Sequence, residues 1–239
     1  MRLAIPVLLA LLPAAGSAQL AVSVRAGLIQ HIQGRAYVED ERVSTESYHF
    51  KHLNEGQCLR TERGRAEVVL APGRMLRLDR ESAFELVSDD ITDVKIALLR
   101  GAAYIDWDER FADGVITVVA GDASVRIDER GLYRINRGDE LGSELRVYGG
   151  KAVVESHKRE QTVKSGRVLA LAALNNTPDK FDRDKRDFFD RWNMRRSLIV
   201  ARMSAPPGTK RVRRRIGPPW NPDPVRPEVD LWRKFGPWR

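Results

Sequence analysis

The sequence predicts an all-β domain, then one C-terminal α-helix and a disordered tail. Three observations carry this. The motif Gly-x-Ala-x-(Val/Ile) occurs five times, beginning at Gly34, Gly64, Gly101, Gly121 and Gly150. Apolar residues alternate with charged ones through much of residues 22–174, the period of strands with one buried face. After Asn175 a helical period takes over, and beyond Ser204 the chain is rich in Pro and Arg.

In each copy of the motif the Ala and the Val or Ile are two apart, so they share one face of an extended chain. The Gly is read as ending the preceding turn, where positive φ costs it little. The small inward Ala predicts another backbone layer passing close by. The copies are spaced by 30, 37, 20 and 29 residues, whereas a strict solenoid keeps one period. The unequal spacing favours a twisted, solenoid-like stack of short strands or a sandwich.

Residues 1–18 read as a signal peptide. Arg2 supplies the positive start, residues 3–12 are apolar apart from Pro6, and Gly16-Ser17-Ala18 precede a cleavage point at Gln19. That apolar run is short of the roughly 20 residues a membrane span needs, and no later segment is apolar enough. The expectation is an exported protein, periplasmic or extracellular, with no transmembrane segment in the mature chain. Cys58 is the only cysteine; it allows no intramolecular disulfide and reads as a small packing residue.

Within the β region, Leu59-x-Thr61, Ala66-x-Val68-x-Leu70, Leu76-x-Leu78 and Phe84-x-Leu86 alternate with Arg60, Arg65, Glu67, Arg77, Asp79 and Glu85. This predicts buried and solvated faces. Pro72-Gly73 marks a turn, and residues 40–54 read as a surface loop. The same style returns in Ala123-x-Val125-x-Ile127, Leu145-x-Val147 and Ala152-x-Val154.

Thr177-Pro178-Asp179 is a helix-start pattern, so an amphipathic helix is expected over residues 178–203. Phe181, Phe188, Trp192, Ile199 and Met203 form its apolar stripe. Asp182 with Arg186, and Asp187 with Arg191, are spaced as i,i+4 ion pairs. The helix is a candidate cap for an open end of the β stack. Packing on the β domain, a partner surface and a membrane surface remain open as its role.

Residues 204–239 contain eight of the twelve prolines and nine Lys/Arg against three Asp/Glu, so much of the net charge of +8 lies there. This composition predicts disorder. Lys210, Arg211, Arg213, Arg214 and Arg215, close to Trp220, fit contact with an anionic surface: lipid headgroups, an acidic glycan or an acidic protein. Nucleic acid fits the charge but not export.

Two constellations offer residues of metal-ligand type. Asp106, Asp108 and Asp113 cluster near a turn, but Arg110 stands where a third Ca²⁺ ligand belongs. His49 and His52 are three apart in a stretch that reads as loop. Neither is assigned a metal, and no cofactor is expected. No G-x-S-x-G, H-E-x-x-H or P-loop occurs, so no catalytic role is expected.

The pattern Leu53-x-x-Gly56-x-x-Leu59-x-Thr61-x-x-Gly64-x-Ala66-x-Val68-x-Leu70, followed by Gly73, Leu76-x-Leu78, Ser82 and Leu86, resembles a FecR domain. Leu98-Leu99-Arg100-Gly101, residues 116–127 and residues 145–154 are similar to later parts of that domain, and the likeness covers roughly residues 28–172. The resemblance implies an all-β bacterial extracytoplasmic domain. Some members relay a signal from an outer-membrane transporter to a sigma factor. That role requires a cytoplasmic region and a membrane span ahead of the β domain, where this chain has its signal peptide, so it is not carried over. The reading is a non-catalytic module that binds or scaffolds at the cell envelope. A signalling subunit on an envelope receptor or transporter is the alternative, and an envelope hydrolase a third.

Overall fold

A computed structural model describes residues 25–44, 51–108, 113–138, 142–157, 159–172 and 177–203. The expected signal peptide, His49, Arg110 and residues 204–239 lie outside them.

The first half contains β1 (Leu28–Gln33), β2 (Ala36–Val38), β3 (Glu41–Val43), β4 (Cys58–Thr61), β5 (Arg65–Ala71), β6 (Arg74–Leu78) and β7 (Ala83–Ser88). The long β8 (Asp93–Trp107) follows, then β9 (Val115–Ala120), β10 (Ala123–Ile127), β11 (Gly131–Arg137) and β12 (Glu144–Gly149). The last elements are β13 (Lys151–Ser156), β14 (Arg159–Lys164), β15 (Arg167–Ala170), β16 (Asp179–Lys180) and α1 (Phe188–Met203).

The strands form two open arms that share β8. The first runs β1-β5-β6-β8-β11-β12-β15-β16. The second runs β3-β2-β4-β7-β8-β9-β10-β13-β14. β8 pairs with β7 and β9 up to Arg100 and with β6 and β11 from Gly101 onward, so the chain passes from one arm to the other at Gly101. Among the described residues only the β8–β9 pairing is parallel. The pairings build an open, mostly antiparallel β stack that does not close into a barrel.

One apolar core joins the arms. The Ala of every motif (Ala36, Ala66, Ala103, Ala123, Ala152) and its Val or Ile partner are buried in it. Four copies start a strand, at β2, β5, β10 and β13. The copy at Gly101 does not end a turn; it lies within β8, with φ 81°. The close backbone approach predicted at the Ala occurs instead at four of the motif glycines, Gly34, Gly64, Gly101 and Gly150, where a Cβ would stand within 3 Å of a backbone atom. A Cβ on Gly34 would stand 2.9 Å from the Cα of Gly64, and one on Gly64 would stand 2.6 Å from the backbone N of Arg35.

Several sequence expectations are corrected. Glu41–Val43, inside the expected loop, is strand β3, paired with β2. The helix starts at Phe188, about ten residues later than expected, and Asp179–Lys180 instead pairs with β15. The start is set by Asp187 and Asp190. The backbone N–H of Asp190 donates to Asp187 Oδ1 at 2.8 Å, and that of Asp187 donates to Asp190 Oδ2 at 2.8 Å. This reciprocal pair satisfies two of the donors that a helix start leaves open. The helix does not cap a strand edge. It lies on the outer face of the first arm, the face expected to be solvated, so Arg65, Glu67 and Arg77 are buried.

Candidate functional site: the charged face beneath the helix

Alternation along β5, β6 and β8 sends Ala66, Val68, Leu76, Leu78, Ala103 and Ile105 into the core. It therefore aims Arg65, Glu67, Arg77, Tyr104 and Asp106 outward. On β11 and β12 the same rule presents Leu132, Arg134 and Tyr148. The face is partly charged and partly aromatic, and α1 matches it in kind.

The charged half centres on Arg77. Its Nε donates to Glu67 Oε2 at 2.6 Å, and its Nη1 donates to Asp106 Oδ2 at 2.6 Å and to Asn193 Oδ1 at 2.7 Å. Arg196 of the helix donates to the other Glu67 oxygen at 2.7 Å, and Ser197 Oγ donates to Asp106 at 2.7 Å. Two guanidiniums thus face two carboxylates out of water, a cluster neutral in sum. Burial alone would raise the Glu67 carboxyl pKa, but Arg196 and Arg77 hold it below the usual value. Burial would likewise lower the Arg77 pKa, and Asp106 and Glu67 raise it instead.

The aromatic half surrounds Asp190. Arg134 Nη1 donates to Asp190 at 2.6 Å and pairs with Asp187 at 2.7 Å. The Tyr104 and Tyr148 hydroxyls also donate to Asp190. Phe189 packs on Tyr104 at 5.0 Å between ring centroids, and Phe181 meets Tyr148 edge-on at 4.9 Å. Trp192 Nε1 donates to Gln33 Oε1 at 2.6 Å, tying the helix to β1.

The expected apolar stripe is only partly the buried one. Phe189 and Trp192 are buried with Asp190 and Asn193, while Phe188 is 77% exposed and Met203 75%. Among the described residues the expected i,i+4 pair of Asp187 with Arg191 does not form. Asp187 is used by Arg134 and by the helix start, and Arg191 donates to the Arg186 carbonyl and lies 4.6 Å over the Phe188 ring. Asp182 accepts from the backbone N–H of Asp184.

Burial, with Asp190 nearby, pushes the Tyr104 phenol well above its ordinary value of 10, and burial followed by Asp190 raises Tyr148 in the same sense. An acid whose folded pKa is raised contributes stability that is complete below its unfolded pKa and is lost as pH rises toward the folded one. Raising pH beyond 10 is therefore expected to loosen α1 from the sheet. Tyrosinate absorbance and far-ultraviolet dichroism followed together would check this. Full ionisation of all five tyrosines near pH 10, with the helix signal intact, would contradict it.

Of the residues considered as metal ligands, those among the described residues do not converge. Asp106 is held by Arg77, Asp108 pairs with Arg130 at 2.8 Å, and Asp113 offers its backbone carbonyl to Arg74. His52 is half-buried, with Nε2 3.5 Å from the Arg25 carbonyl oxygen. Cys58 is half-buried at the start of β4, and burial, followed by Glu39 and Glu85, raises its thiol pKa. That keeps it in the unreactive thiol form.

A shallow cleft of about 430 Å³ at the β13–β14 turn is lined by Ser124, Glu155, Ser156, His157, Arg159 and Glu160. Ser156 Oγ lies 2.8 Å from His157 Nδ1, and His157 Nε2 is 4.0 Å from Asp122 Oδ2. The order of side chains is that of a nucleophile, base and acid. The acid and base side chains are largely exposed, however, and a pair in bulk water is weakly coupled. Nothing in the spacing of Asp122 and Ser156 signals this approach, because the turns between strands create it.

The helix network is likewise made by distance in the chain: Arg77 and Asn193 are 116 residues apart. The readable signals for it were Asp187-x-x-Asp190 and the polar series Asp190, Asn193, Ser197 at helical spacing. Residues 210–220, the expected anionic-surface contacts, are outside the described residues.

Among the described residues no helix is long and apolar enough to cross a membrane. No family model matches the chain, and no curated protein matches it. Two crystal structures, each described as "a putative anti-sigma factor" from Parabacteroides distasonis, are similar to it. One is 15% identical with TM-score 0.44, over 56% of this chain and 63% of that chain; the other is 16% identical with TM-score 0.41, over 52% and 57%. The chain thus spans about three fifths of the solved chains it resembles.

Proposed function

We propose that this protein is an exported, non-catalytic binding module of the cell envelope: a FecR-like β domain that carries one fixed helix and presents the basic chain following it. The supporting observation is the fastening of α1. Arg77, Glu67, Asp106, Arg134 and Tyr104 are all buried in holding it. Buried ion pairs fix geometry more readily than they add stability. A helix held this way sets where the described chain ends, at Met203, and which helix face points away from the domain. The charged groups beneath the helix satisfy one another, which supports a holding role for them over a chemical one.

The experiment is recovery of envelope material with the exported protein, with and without residues 204–239. Retention by the full chain and reduced retention by the shortened one are expected, with identical thermal unfolding of the β domain. Equal retention would remove the tail from the function. Recovery of a single receptor or transporter would favour the signalling-subunit reading.

A further inference from the structure

The helix has a second face. Phe188, Arg191, Arg195, Ile199 and Arg202, at steps of three and four, with Met203 four beyond Ile199, are exposed and make one row. Asp190 is the only acid in α1, and it is buried against Arg134 and Tyr104. Among the described residues Arg195 and Arg202 make no ion pair, and Arg191 bonds only the Arg186 carbonyl and overlies Phe188. The row is therefore cationic and apolar together, about 24 Å long at 1.5 Å per residue.

From this face we infer that α1 docks flat on an anionic phospholipid bilayer, an inference that rests on the binding-module reading above. Two features select this occupant. The arginines lack acidic partners on their own face, so the complementary surface is negative. Phe188, Ile199 and Met203 stand in the same row, and an acidic polymer in water has no use for them. An interfacial helix needs this combination: cations at headgroup level and apolar side chains below. The chain then continues from Met203 into residues carrying nine Lys/Arg, three Asp/Glu and three Trp. This adds charge of the same sign beside the same surface. A single helix row binds such a surface weakly, and the second cationic segment makes the attachment durable. The buried fastening of the inner side keeps the outer row presented as a unit.

The test uses the mature full-length chain and vesicles of phosphatidylcholine with or without phosphatidylglycerol. Binding to the phosphatidylglycerol vesicles, falling with salt, is expected, with none to phosphatidylcholine alone. Arg195→Ala with Arg202→Ala should weaken binding about 25-fold, at about fivefold for each cation near the surface. Phe188→Ser with Met203→Ser should weaken it independently of salt. All four positions are exposed, so unchanged thermal unfolding is expected in both variants.

Three results would overturn the inference: equal affinity for both vesicle types, full affinity in both double variants, or heparin binding as tight as vesicle binding. The last would assign the face to an acidic polymer. Each can occur while the envelope recovery still depends on residues 204–239, so a failed bilayer contact is distinguishable from a failed binding-module reading.

Discussion

Replacing Arg77 by alanine is expected to cost about 3–5 kcal/mol, the range for removing one partner of a buried charge pair. Arg77 is 1% exposed and Glu67 0%, so neither Glu67 nor Asp106 gains water in exchange for the lost guanidinium. Arg196 keeps its bond to Glu67, but Asp106 retains only Ser197 as a donor. Against a total stability of about 5–15 kcal/mol for a domain, the loss is large. It falls first on α1, because Asn193 and Ser197 also bond Arg77. Urea unfolding would measure the cost, and dichroism of the helix below the main transition would locate it. A loss under about 1 kcal/mol with α1 still docked would show that the network carries little. A second variant separates repulsion from packing. Arg77→Met with Asp106→Asn removes one charge of each sign at similar volume, leaves Glu67 paired with Arg196, and is expected to recover much of the loss.

That network also marks where the sequence stops being legible. Alternation in residues 59–86 correctly separates the two faces of β5 and β6, because each strand writes its own period. It cannot say what covers the outer face. The residues that do, Asp190, Asn193, Arg196 and Ser197, lie more than a hundred positions later, and charges on a strand look the same whether water or a helix faces them. The error at the helix has a related cause. Its inner face is half polar, so the apolar period is weak, and Phe188 and Phe189 compete for the inward position. Phe189 wins because Tyr104 is there to receive it. Thr177-Pro178-Asp179 has the local chemistry of a helix start, yet Asp179 and Lys180 extend a sheet edge beside β15, a tertiary preference that no local pattern reports. The core, by contrast, was readable almost residue by residue, since every Ala and Val/Ile of the motif is buried.

The motif's glycines are expected to separate sharply under one substitution. Gly101→Ala should cost about 2–5 kcal/mol, made of about 1–2 for a left-handed backbone and about 1–3 for overpacking. Its φ is 81°, and a Cβ there would meet Ser82 Oγ at 2.1 Å and Ser82 Cβ at 2.6 Å. Ser82 cannot swing aside freely. Its Oγ accepts from the Ala102 N–H at 3.0 Å and donates to the Arg80 carbonyl at 2.8 Å, and its own N–H donates to Thr61 Oγ1. Gly121→Ala keeps the backbone penalty, with φ 68°, but meets nothing within 4 Å. It should cost only about 1–2 kcal/mol. Denaturant midpoints of the two variants against the parent would give the difference. Equal losses would mean that the passage of β8 between the arms tolerates a side chain, and that Gly101 is needed only for its φ. A larger loss at Gly101 would assign it a second task, that of letting one strand belong to both arms while Ser82 closes over the bend.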